Sequence, residues 1–427
     1  MHFKKLVLRF FEDLNTLIRS PQFLQRHRLN RKFFTRNRKL DFPGIIYFLL
    51  RLPQKSLSSE MADYVSAFLT SASIQRISKQ AFSSARQKIS FSAFQELLDF
   101  SYMRLRCFCA NPIFWYGHAV KAIDGTTVRV PNTPENRTEF QTQKNQHGEV
   151  ALVKASALYH VSDDLIEKAV FGKCRDSEKN QALELLTAET LHDGTGRRPV
   201  ILFDRGYPSG ELIHHINGLG GLFVMRCSSS IFKNVSSSPQ GISDTHIFYR
   251  KRKIEIRVIR FFLDNGNEEI LITNLLDDRI PLLGFKWLYH MRWSCETKYG
   301  ELKQQLKIEN LAGIKPIAVR QEMYATLVFS NIVSILKSFI DVEIERDTQG
   351  KGNKWKYQTN RNFLIGEVKK NLHMLLQGNR IAAAVLEGIL VLSQKERSPI
   401  RQDRKEERIF RIYSKTSVYC NNQRTAV

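Results

Sequence analysis

Three acidic residues stand at positions from which strands and a helix could present them to one another. Asp124 follows the strand-like run Val120-Lys-Ala-Ile123 and precedes Gly125-Thr126-Thr127, so its carboxylate sits where a strand hands over to a loop. Asp204 ends the wholly apolar run Pro199 to Phe203 and opens the segment Asp204-Arg205-Gly206-Tyr207-Pro208-Ser209. The carboxyl end of a buried strand is where α/β folds place ligand groups. Glu296 lies in a segment with helical spacing. At ~100° per residue, Tyr289, Arg292, Glu296 and Lys303 fall within about 60° of one another and form one polar stripe. The stripe borders the apolar arc of Leu288, Met291, Cys295, Tyr299, Leu302 and Leu306. An Asp-Gly turn at Asp124 and a helix-edge ion pair between Arg292 and Glu296, worth only ~0.3 to 0.5 kcal/mol, are the bland alternatives. Neither accounts for Tyr289 or Lys303. Carboxylates brought together repel one another unless a cation is shared, so their convergence would be cation-binding chemistry.

The elements that must position these groups read as strands and helices in alternation from Val120 onward. Ala155 to Val161 and Leu165 to Phe171 are β-rich and joined by a Ser-Asp-Asp turn, which predicts a hairpin. Ser177 is read as the cap of a helix to about Leu191, Ser209 begins another, and Leu222 to Met225 is a further strand. Phe248 to Asn274 alternates around Asp264-Asn265-Gly266-Asn267 and predicts extra antiparallel strands. Pro281 opens a long helix to about Leu306, and a broadly apolar helix follows from about Ile317 to Phe339. Hairpin, helix, strand, helix, strand and a late helix is a mixed α/β order, that of an RNase H-like core.

Before that core the chain is basic. Lys4 to Lys39 is crowded with Lys and Arg, with Phe23, Phe33 and Phe34 interleaved, and is read as an arm contacting backbone phosphates or as a solvated tail. Phe42 to Ala119 reads as short helices, among them Ser78 to Lys88, whose small polar and basic face would suit a major groove. A net charge of +23 over 427 residues favours polyanionic partners. With 42% hydrophobic residues the chain can bury a core, and global disorder is not expected. The six cysteines lack paired metal-site spacing, which predicts reduced thiols rather than structural zinc. No leader peptide is read at the start, and the apolar run Ile45 to Leu50 is far short of the ~20 residues that span a bilayer. A cytoplasmic protein without membrane association is expected.

Tyr289, Arg292, Glu296 and Lys303 resemble, without a gap, the Tyr-x2-Arg-x3-Glu-x6-Lys signature of one branch of the DDE transposases of bacterial insertion sequences. Ile123 to Thr127 resembles the first-Asp segment of that family, and Phe203 to Tyr207 its second. The likeness spans roughly Ser78 to Leu311. It implies that Asp124, Asp204 and Glu296 are catalytic and bind metal. Two Mg²⁺ ions, with Mn²⁺ as substitute, would activate the attacking oxygen and stabilise the leaving one at a phosphodiester. Tyr289, Arg292 and Lys303 would grip neighbouring DNA phosphates, and Arg226 resembles a family position near the same strand.

The resemblance further implies cleavage at terminal inverted repeats, joining of the freed 3′-hydroxyl to target DNA, and a homodimer that pairs two ends on double-stranded DNA in the nucleoid. A metal-dependent nuclease without joining activity and a non-catalytic DNA-binding protein stand as alternatives. The domain organisation expected is a basic arm at 1–41, a helical DNA-binding domain at 42–119, and a catalytic core at 120–345 with a β-rich insertion at about 228–280. A basic, helical C-terminal region at 346–427, making DNA or dimer contacts, would follow. No stacking aromatic is assigned among Phe248, Tyr249, Phe261, Phe262 and Trp287.

Overall fold

The computed structural model describes residues 2–36, 38–53, 56–68, 77–108, 114–145, 148–192, 198–263, 266–377 and 380–401. The helices begin with α1 (His2–Arg19), α2 (Pro21–His27), α3 (Phe42–Leu50), α4 (Leu57–Phe68), α5 (Lys79–Arg86) and α6 (Ser92–Arg106). Then come β1 (Val120–Arg129), α7 (Pro134–Phe140), β2 (Thr142–Asn145), β3 (Gly148–His160), β4 (Leu165–Lys173), α8 (Glu178–Leu185), β5 (Val200–Phe203), α9 (Gly210–Gly218), β6 (Leu222–Arg226) and α10 (Lys233–Ser236). β7 (Gly241–Tyr249), β8 (Arg252–Phe262) and β9 (Glu268–Thr273) precede α11 (Leu282–Met291) and α12 (Trp293–Gln304). The chain continues through α13 (Pro316–Thr348), β10 (Lys356–Thr359), α14 (Arg361–Leu375), α15 (Arg380–Lys395) and β11 (Arg397–Ile400). Two compact units result: residues 1–110, 128–153 and 302–427 form one, and residues 111–127 and 154–301 the other.

The first unit is helical around α13. That helix is long and apolar enough by composition to cross a bilayer, yet most of it from Ala318 to Ile344 is buried against α3, α6, α14 and α15. It outruns the span read from the sequence, and β10 and α14 follow it. Residues 2–27, read as part of a basic arm, are helical because Val7, Phe10, Phe11, Leu14 and Ile18 recur at helical spacing and are buried. Ser20 caps α2 by accepting from the Phe23 amide, with Pro21 in the first turn. The tail read as basic beyond Arg401 lies outside the described residues.

In α5 two residues set the inward face. Ala81 is exposed, and Phe82 and Arg86 are the buried positions, because Phe82 packs on Phe48 at 4.6 Å and Arg86 meets α13. Arg86 donates to Glu322 at 2.6 Å, to Gln321 at 3.1 Å and to the Ala318 carbonyl at 3.0 Å.

The second unit is a mixed sheet in the order β4-β3-β1-β5-β6-β9-β8-β7. β1, β5 and β6 run parallel to one another, whereas β9, β8 and β7 are successively antiparallel. The late strands extend the edge of the sheet beside β6, so the β-rich segment is continuous with the core strands. Leu202, Phe203, Phe223, Val224 and Ile272 are buried with almost no exposure, as strands covered on both faces require. α8 is shorter than read, ending at Leu185, because Thr187 and Thr190 take up each other's backbone amides and turn the chain. The helix expected from Pro281 to Leu306 is interrupted at Arg292, whose amide donates to the Tyr289 carbonyl three residues back and whose own carbonyl accepts from Cys295. Asp264 and Asn265 of the expected turn lie outside the described residues.

Candidate active site

The sheet register aligns the two aspartates. Val120 to Ile123 of β1 pair in parallel with Val200 to Phe203 of β5, so Asp124 and Asp204 each follow the last paired residue of neighbouring strands. The same row continues onto β6, where Met225 pairs with Phe203 and Arg226 comes next. Parallel strands point equivalent positions the same way, so one short row across three strands carries acid, acid and base.

Side chains from α11 and α12 close over this row. Tyr289 donates its hydroxyl to Asp204 Oδ1 at 3.2 Å. Arg292 places Nη1 3.8 Å from Asp124 Oδ2 and donates Nη2 to Glu296 Oε1 at 2.9 Å, so Glu296 is drawn toward Asp124 through a shared guanidinium. Burial of Arg292 opposes its charge, yet Tyr289, Asp204, Glu296 and Asp124 together hold its pKa above the usual guanidinium value. Its Nε and Nη1 are buried without a hydrogen-bond acceptor. Tyr299 holds the middle of β1 by donating to the Asp124 carbonyl at 2.6 Å.

Burial pushes the Asp124 carboxyl up to about 6; the Gly125 amide, bonded to Oδ1 at 2.9 Å, and Arg292 pull down, and Asp204 and Glu178 push up. β1 continues through Gly125 to Arg129, so the loop expected after Asp124 is absent and the aspartate lies within the strand, where Glu178 crowds the next residue. A Cβ on Gly125 would meet the Glu178 carboxyl carbon at 2.7 Å, so a larger residue here would displace the Glu178 side chain. Lys154 balances Glu178 at 2.5 Å.

Arg226 is 3.9 Å from Asp204 through Nη1 and is held by Glu269, whose Oε1 lies 2.6 Å from Nε. Glu269 is buried on β9, and burial raises its pKa while Arg226 opposes the shift. Sequence reading missed Glu269 and Glu178. Glu269 did show as an acid just ahead of the apolar run Ile270 to Ile272, but only the β6–β9 pairing, which sets Arg226 opposite Leu271, brings it within reach of Arg226.

Lys303 keeps different company. It is half-buried in the first unit, and burial lowers its pKa, with Glu309 acting against and Arg129 with that shift. Glu301 is buried with Lys298, which contacts it at 3.4 Å and Asp164 at 3.1 Å.

The donor set suits a hard divalent cation, which takes carboxylate oxygens. The raised pKa of Asp124 and the guanidinium within electrostatic reach of all three acids both mark a place that calls for positive charge. Among the described residues, however, no three acidic, histidine or cysteine side chains are gathered at metal-ligating distance, and Glu296 is engaged by Arg292.

Comparison with known proteins bears on this site. The profile described as a transposase DDE domain matches residues 115–332, just over half the chain and all of the residues above. Transposase InsG for insertion sequence element IS4 of Escherichia coli (strain K12) is 28% identical over 243 residues, covering 51% of this chain and 52% of that protein. The chain thus spans about half the length of that curated relative. The cryo-EM structure of a piggyBac transposase synaptic complex with hairpin DNA aligns over 96% of this chain and 86% of its own, with a TM-score of 0.42 and 11% identity. The match through Asp124, Asp204 and Glu296 makes the family plain: this chain belongs to the transposase DDE domain family.

Proposed function

We propose that the protein is a DNA transposase that cuts phosphodiesters at terminal inverted repeats and joins the freed 3′-hydroxyl to target DNA. The observation that carries this reading is the alignment of Asp124 and Asp204 on adjacent parallel strands, with Arg292 linking Glu296 to Asp124. The strand order β4-β3-β1-β5-β6, with the first acid on the central strand and the second beside it, supports an RNase H-like core. The Tyr289-Arg292-Glu296-Lys303 spacing supports the signature branch.

Asp124, Asp204 and Glu296 hold divalent ions in this reading, Mg²⁺ by preference and Mn²⁺ as substitute. When bound, such ions activate the attacking oxygen and stabilise the leaving one. Arg292 keeps the acids compatible with one another until then. Its release of Glu296 frees both the third carboxylate and a guanidinium fork whose buried Nε and Nη1 have no acceptor of their own. Tyr289 orients Asp204, Glu269 orients Arg226, and Arg292, Arg226, Tyr289 and Lys303 bind flanking phosphates. The basic surface at 1–41 and the helices of 42–119 bind the element ends, 120–345 is catalytic, and 346–427 contributes DNA or dimer contacts. A homodimer pairs two ends in the bacterial cytoplasm, at the nucleoid.

The test is Mg²⁺-dependent cleavage of a duplex bearing the flanking repeats, run beside Glu296→Ala. Cleavage and joining by the wild type and neither by the variant is the expected result. Cleavage without joining to a second duplex would favour a nuclease, and equal activity in the variant would sink the assignment of Glu296.

A further inference from the structure

The hairpin between β7 and β8 closes in an unusual way. Tyr249 pairs with Arg252, which leaves Arg250 and Lys251 as a two-residue loop, and both have positive φ, 46° and 63°. A tight hairpin with two left-handed residues ordinarily uses Asn-Gly or a similar pair, because a Cβ strains that conformation. Here the chain places its two longest cationic side chains at the strained positions.

The surroundings leave this tip cationic. Arg250, Lys251, Arg252 and Lys253 are all exposed, and the ring of Phe248, opposite Lys253, is exposed beside them. Glu255 contacts Lys253 at 3.7 Å, whereas Asp244 is taken up by Arg257 at 2.7 Å. The tip is also anchored. Tyr249 lies against Gly210 of α9, where a Cβ would come within 2.7 Å of its ring, and Arg250 sits over the same ring at 5.2 Å.

We propose that the β7–β8 tip is a contact for the phosphate backbone of duplex DNA, with Arg250 and Lys251 as the reaching groups. Backbone strain held at a rigidly anchored tip is a feature that function retains and folding alone would discard. Phosphate is the complementary charge, and arginine and lysine are its usual partners on a duplex. The inference rests on DNA as the partner of the site described above.

The test replaces the loop by the relaxed pair, Arg250→Asn with Lys251→Gly, in the full chain. This variant should fold better than the parent, so loss of binding cannot be assigned to misfolding. A higher Tm is expected, together with weaker binding to a labelled DNA duplex. Its plot of log affinity against log salt should be shallower by about 1.8, at ~0.9 per phosphate no longer neutralised. A higher Tm with unchanged affinity and slope overturns the proposal, as does an unchanged or lowered Tm, and so does a loss confined to duplex RNA. If the wild type binds no duplex DNA, the partner assignment falls as well. Binding by the wild type that the double variant fully retains removes only the hairpin.

Discussion

Asp124 bears its charge against the preference of its surroundings. A carboxyl whose folded pKa exceeds its unfolded value holds its proton more tightly in the folded state, so its ionisation costs stability as pH rises. With an ordinary value of 3.8 and a folded one of about 6, the protein without metal should be unpenalised below the first and fully penalised above the second. Asp124→Asn should therefore raise Tm at pH 8, by up to about 3 kcal/mol of unfolding free energy, the equivalent of that rise in pKa. The difference should vanish near pH 4. Thermal denaturation across pH in chelator measures this, and Mg²⁺ should stabilise the wild type more than the variant. A variant less stable at pH 8 would mean that the Gly125 and Arg292 contacts outweigh the burial of the charge.

At the level of elements, the decisive contacts tie helices distant in sequence. Arg86 of α5 and Glu322 of α13 are both buried and face each other at 2.6 Å, and Glu322 also accepts the Ala312 and Gly313 amides at 2.7 and 2.8 Å. Removing the cation from such a pair leaves a buried carboxylate without its guanidinium partner. Arg86→Ala should cost about 3 to 5 kcal/mol in urea unfolding, far more than the loss of an exposed ion pair. The pairing fixes α5 with Lys79, Gln80, Ser83 and Ser84 outward, the face read from sequence as suited to a groove. A cost below about 1 kcal/mol would show that the packing of Phe82 holds α5 without the ion pair.

Over the whole molecule the excess of positive charge dominates encounters with polyanions, but not every cation is available to them. In the N-terminal segment Arg26 is engaged by Glu96 at 2.5 Å, and Arg28 donates to the Phe33 carbonyl at 3.4 Å, whereas Arg31, Lys32 and Arg36 are exposed. Triple alanine replacement of those three should flatten the salt dependence of duplex binding by about 2.7, at ~0.9 for each phosphate that the variant leaves to its counterions. Arg26→Ala should alter it little. Fluorescence anisotropy over a salt series distinguishes the two, and an unchanged slope in the triple variant would take this segment out of the DNA footprint.

The sequence alone determined that Asp204 stands at the end of a buried strand and that Tyr289, Arg292 and Glu296 fall in helical segments, because those properties are local, whereas β1 runs on past Asp124 to Arg129 against the loop expected there. The apolar run before Asp204, the hairpin at 163–164 and the Tyr289-Arg292-Glu296 stripe follow from alternation and helical period. Tertiary structure decided what local periods cannot encode. The β1–β5 register sets Asp124 beside Asp204, and the β6–β9 pairing brings Glu269 to Arg226. The backbone break at Arg292 was also invisible in a uniform helical wheel. Long-range pairing and burial likewise decided that residues 2–19 form a helix with a buried stripe, and that Arg86 faces inward from α5. A side chain's environment depends on partners hundreds of positions away, and only the folded chain supplies them.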